Sequence, residues 1–209
     1  MTFDAEFKKA LQMLPEKEKD KLLLRLLKQN KALSQRLYFE LVDTDSVTDK
    51  RNDVKNKVCE HVGSATERYY SPGYLLLDLR DISGHINEHV SITKDKIGEI
   101  VLNCVMLQYT LELNNARLII ADRSRCHTLY IYVIARVFKI LMLIQKQHED
   151  YHLEFKEYLN AIGEFIGKNH NLMKLSMYNG LDVNWLINFS IPENIVEIHK
   201  DLRKQGFLR

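Results

Sequence analysis

Proline is scarce in this chain, with three residues in 209, and each falls where a helix is expected to start. Pro15 follows Leu14, Pro72 follows Ser71, and Pro192 follows Ser190-Ile191. A helix tolerates proline in its first turn, because the first N–H groups lack intrahelical partners and the ring already fixes a helical φ. Almost nothing else interrupts helical periodicity, so the chain reads as helix after helix. Cysteine is scarce too. Cys59, Cys104 and Cys126 are odd in number, far apart and without CxxC spacing. That argues for small buried thiols in a reducing cytosol, and against disulfides or a zinc finger.

Other absences narrow the class further. Met1 to Lys9 carries acids and no apolar run, unlike a signal peptide. The most apolar stretch, Leu129 to Ile144, contains Arg136 and Lys139 and falls short of the roughly 18–20 apolar residues of a membrane span. It reads as a buried central helix. A net charge of +2 is below the strongly basic balance of a dedicated nucleic-acid binder, and no specific nucleic-acid signature is present. There is no Walker loop, Rossmann glycine pattern, Gly-x-Ser-x-Gly elbow or cysteine–histidine nucleophile signature.

What is present is a succession of amphipathic segments. Asp4 to Met13 and Pro15 to Gln29 open the chain, the second with Leu22, Leu23, Leu26 and Leu27 on one face and Glu16, Glu18 and Asp20 near its start. Ala32 to Val42 follows. Ser46-Val-Thr-Asp49 and Ser64-Ala-Thr-Glu67 read as capping boxes. Ser71-Pro72 starts a leucine-rich helix with a kink or stop at Ser83-Gly84, and Thr93 caps the next helix, which reaches Asn114-Asn115. Arg117 to Ala121 fits a short strand or a continuing helix. Helices are then expected over Cys126–Gln147, Tyr151–Lys168, Leu172–Tyr178 and from Pro192 to Lys204. Gly163 and Gly167, four apart, allow a close helix contact. The expected fold is all-α: a single helical domain over 1–209, with about eight to ten helices packed around Cys126–Gln147 as an irregular multi-helix bundle or a short helical-repeat-like array.

Two histidine pairs carry metal-ligand spacing. His148-Glu149-Asp-Tyr-His152 is a literal HExxH, and His85-Ile-Asn-Glu88-His89 a literal HxxEH. Residues four apart share a helix face, so two imidazoles can grip one divalent metal while the glutamate activates its water. The extended motif fails, because Tyr158 stands where its third histidine belongs. Solvated or core-capping histidines are the plainer reading, and no cofactor is expected unless a pair holds metal. Arg136 and Lys139 lie one turn apart on an otherwise apolar helix. The plainer reading is that both snorkel to the surface or pair structurally, and the alternative is that at least one is drawn inward. A buried guanidinium needs a carboxylate or an anion, and Asp78, Asp81 and Glu88 are the expected partners. The functional alternative is an anion or phosphate pocket floored by this helix.

Leu14-Pro-Glu-Lys-Glu-Lys-Asp-Lys-Leu-Leu-Leu24, Tyr70-Ser-Pro-Gly-Tyr-Leu-Leu-Leu-Asp-Leu79, Ile131-Tyr-Val-Ile-Ala-Arg-Val-Phe-Lys139 and Asp182-Val-Asn-Trp185 together resemble a family of uncharacterised bacterial all-helical proteins. Some of that family are labelled deoxyuridine triphosphate nucleotidohydrolases. The all-α enzymes of that kind hold magnesium with ExxE followed by ExxD on a later helix. Glu154 and Glu157 give one ExxE, but no ExxD follows, and Glu193, Glu197 and Asp201 are spaced by four. The leading expectation is therefore a cytoplasmic interaction or scaffold module, with a protein partner or self-association and no membrane. The alternative is a metal-dependent hydrolase of nucleotides or other phosphate esters.

Overall fold

The computed structural model describes residues 2–209. Among these residues it contains eleven α-helices, one 3-10 turn and no strand, so the chain is all-α. It divides into two compact units: one formed by residues up to Asp45 with Ser91–Thr93, the other by Ser46–Val90 with Lys94–Arg209.

The first unit holds α1 (Ala5–Met13), α2 (Glu16–Gln29) and α3 (Lys31–Leu41). Asp4 caps α1 by accepting from the Phe7 N–H. Pro15 precedes α2 as its N-cap with no side-chain bond, and its carbonyl takes the Glu18 and Lys19 N–H groups. Asn30 ends α2 and starts α3, where its side chain accepts from the Leu33 N–H. None of the three helices contains a buried residue.

The second unit begins with α4 (Val47–Glu67), opened by the expected Ser46–Asp49 capping box. The helix runs straight through Ser64, so the second box does not form: its backbone N–H groups are already engaged within α4. Ser71 caps α5 (Pro72–Thr93), with Pro72 at its first position. The helix does not stop at Ser83-Gly84. Ser83 is buried and returns its hydroxyl to the Leu79 carbonyl, 2.8 Å away, which spares it an unmet polar group. Asp95, not Thr93, caps α6 (Lys96–Ile120), which includes the ambiguous Arg117 segment as helix.

α6 is the most deeply buried element, with Leu102, Met106, Leu107 and Leu111 fully enclosed. α7 (Arg123–Ile144) lies beside it and contributes Ile134, Val137, Phe138 and Leu141 to the same core. α4 packs on one part of α6 and α8 (Lys156–Lys168) on another. A 3-10 turn (Glu149–Phe155) leads into α8, replacing the continuous helix expected from Tyr151. α9 (His170–Tyr178), α10 (Asn184–Ile187) and α11 (Ile195–Lys204) complete the unit. Pro192 lies outside α11, in a turn closed by the Ile195 N–H on its carbonyl.

Gly163 of α8 meets α10 closely: a Cβ there would come within 2.8 Å of the Ile187 side chain. Gly167 faces open space, so only one of the two glycines serves packing. α7 is long and apolar enough to cross a membrane, and 56% of its most apolar window is buried inside the unit.

Candidate functional site

The most concentrated charge in the second unit is at Asp95. Its side chain is 3% exposed. Arg51 of α4 grips it with two hydrogen bonds, Nε to Oδ2 and Nη2 to Oδ1, both 2.7 Å. The Gly98 N–H donates to Oδ1 at 2.8 Å, as a cap requires, and His89 Nε2 of α5 lies 3.3 Å from Oδ2. One carboxylate thus joins α4, α5 and α6. Burial raises its pKa, but the hydrogen bonds from His89, Arg51 and Gly98 and the Arg51 charge outweigh that, holding it well below the usual carboxylate range. No motif in the sequence points to this group, because Arg51 and Asp95 lie 44 residues apart and only packing brings them together.

Arg136 turns partly inward instead of snorkelling, and onto partners other than the expected carboxylates. In place of Asp78, Asp81 or Glu88, its Nη1 donates to Asn103 Oδ1 (3.1 Å) and its Nη2 to Ser83 Oγ (3.0 Å) and Tyr132 Oη (2.9 Å). The guanidinium also lies 5.0 Å from the Tyr132 ring centre. Asp78 and Asp81 lie elsewhere along α5, and the inward positions opposite Arg136 are taken by Ser83 and the Leu79 carbonyl, which Tyr132 also reaches at 3.1 Å. Neutral acceptors and an aromatic face share the charge at lower desolvation cost than a second buried ion. Lys139 pairs with Glu99 of α6 at 2.7 Å.

The two histidine motifs do not gather ligands. His89 is buried against Asp95, whereas His85 is exposed and turns to His61 of α4. Glu88 is exposed on a third direction of α5. His148 is the cap of the 3-10 turn, with Nδ1 3.1 Å from Asp150, and Glu149 is exposed beside it. His152 Nε2 lies 3.2 Å from the Gln147 carbonyl. The HExxH segment adopts 3-10 geometry, with about three residues per turn, so positions four apart no longer stack. Glu154 and Glu157 are both exposed. Among the described residues no group of three His, Cys, Asp or Glu side chains is arranged to hold a metal ion.

A second buried polar network knits helices together. Asn169 donates to Asn115 Oδ1 (3.0 Å) and Tyr130 Oη (3.2 Å), Asn115 reaches the Phe165 carbonyl, and Tyr130 donates to the Leu118 carbonyl. Burial pushes the Tyr130 pKa up to about 12, so it stays a donor. Burial also raises the Cys59, Cys104 and Cys126 thiols, leaving none as a ready nucleophile. A cleft of about 190 Å³ beside Asn179 is lined by His127, Tyr178 and the C-terminal residues. Asn179 itself is already satisfied by the Leu175 carbonyl and the Leu208 N–H, so it aims nothing into that cleft.

The larger unexplained feature is apolar. In the first unit Phe3, Phe7, Met13, Leu23, Leu24, Leu26, Leu33, Tyr38, Leu41 and Val42 are 40–78% exposed. The run Leu22-Leu-Leu-Arg-Leu-Leu27 was the available signal: five leucines in six residues cover more of a helix than one neighbour hides. No family model, curated protein or solved structure matches this chain.

Proposed function

We propose that the protein is an interaction module that associates with a second copy of itself through the apolar faces of α1–α3. The observation that carries this reading is that residues 2–45, with three helices, contain no buried residue and display ten large exposed apolar side chains. Scattered single apolar side chains are normal on a monomer surface, but ten of them within residues 2–45 exceed that pattern. Three helices of nine, fourteen and eleven residues are too short to stand in water on propensity alone, so an apolar surface must cover them.

Charge favours a copy of the same chain as that surface. Residues 2–45 carry nine Lys and Arg against eight Asp and Glu, which offers no attraction to a polyanion or an anionic membrane and no repulsion to self. α2 starts with Glu16, Glu18 and Asp20 and ends with Arg25 and Lys28, followed by Lys31. Lys19 and Lys21 of its first half are engaged within the unit, by the Gln12 carbonyl and Glu18. Two such helices lying antiparallel about a two-fold axis bring opposite signs together at both ends. Sedimentation equilibrium at micromolar concentration tests the reading. A dimer is expected for the full chain, and a monomer of unchanged helicity for the Leu26→Glu, Leu41→Glu double variant. A wild-type chain that stays monomeric sinks it.

A further inference from the structure

We propose that His61 and His85 form a surface clip for a divalent transition metal, joining α4 to α5 independently of the self-association reading. The two rings lie across the helix pair with centres 5.6 Å apart at an interplanar angle of 60°. Two imidazoles on one tetrahedral zinc, each with Zn–N of about 2.0–2.1 Å, hold their ring centres roughly 5 Å apart. The observed ring spacing is close to that value, on two helices that the Arg51–Asp95–His89 cluster already ties together.

The nitrogens are free to bind. Neither His61 nor His85 makes a hydrogen bond or ion pair among the described residues, while His89, His148 and His152 each have a polar partner. Both rings are exposed, so a metal arriving from solvent meets them without any rearrangement of the core. Lys57 stands one turn before His61, and Asp81 one turn before His85, so charges of opposite sign flank the pair. No third ligand side chain joins them, so water fills the remaining positions. The site is open and exchanging, weaker than a four-ligand structural zinc. Imidazole selects zinc, nickel or copper over magnesium or calcium.

A metal bound to the native chain and not to the unfolded one raises apparent stability by mass action. The test is thermal unfolding of the untagged full chain with and without excess zinc chloride, and then nickel chloride. The wild type is expected to gain about 2–4 °C, as a protein of this size does for a modest stabilisation. The His61→Gln and His85→Gln variants are each expected to lose that gain, with unchanged melting in chelator, and His148→Gln to keep it. Magnesium chloride should produce no shift in any of them. An equal zinc shift in the His61→Gln, His85→Gln double variant, or no shift in the wild type, overturns the proposal.

Discussion

Asp95 concentrates more consequence than any other side chain. Removing its charge leaves the Arg51 guanidinium, 23% exposed, without a counter-ion, and weakens the α6 cap. Breaking such a pair from one side costs about 3–5 kcal/mol, so Asp95→Asn is expected near the lower end by urea unfolding at pH 7, since asparagine still caps. The pH dependence follows from the depressed folded pKa. The carboxylate contributes its full stability above the unfolded value of about 3.9 and loses it as pH falls through the folded value. Wild-type stability should therefore fall more steeply below about pH 4 than that of Asp95→Asn. Matching acid limbs in the two unfolding curves would count against this. At this scale the sequence was half legible. The position of Arg136 on an apolar helix marked a charge that must either turn inward or snorkel, without deciding between the two. Its partners were not legible, because Asn103 and Ser83 sit 33 and 53 residues away and only packing brings them near.

The helices themselves were largely legible, because capping and periodicity are local. Ser46, Ser71 and Asn30 end or begin helices through bonds spanning three residues, which a sequence displays directly. What periodicity cannot display is which glycine touches a neighbour. Gly84 and Gly98 both lie inside helices, yet they differ in surroundings. A Cβ on Gly84 meets nothing within 4 Å, so Gly84→Ala should stabilise by about 0.5–1 kcal/mol through helix propensity. A Cβ on Gly98 would collide with the Asp95 carboxylate and come within 2.9 Å of Arg51 Nε. Gly98→Ala should therefore destabilise, by about 1–3 kcal/mol, despite the same gain in propensity. Opposite shifts in urea midpoint are the expected result; equal ones would show the Asp95 cluster to be yielding. The HExxH segment makes the same point, since its four-residue spacing has meaning only on an α-helix and the chain turns tighter there.

At the scale of the whole molecule, the all-α class was legible and the division into two units was not. No proline, glycine run or low-complexity linker marks Asp43-Thr-Asp-Ser46, because that boundary is written in burial and not in composition. Residues 46–209 contain the entire buried core. A chain starting at Ser46 is expected to keep a single cooperative thermal transition with intact aromatic circular dichroism. A gradual, non-cooperative melt would show that α1–α3 complete the fold. The two scales above meet here: the second unit is tied by buried polar bonds, while the first offers only surface.

The three thiols grade the second unit by depth. Cys59 is half-buried on α4, whereas Cys104 on α6 and Cys126 on α7 are fully enclosed. Each is accordingly a timer set to a different opening event. A thiol reagent should mark Cys59 from the native state by small local fluctuations, and reach Cys104 only when α6 itself separates from its neighbours. Read by mass, the order and spacing of three labelling rates would rank how this helical unit comes apart, without any residue being changed.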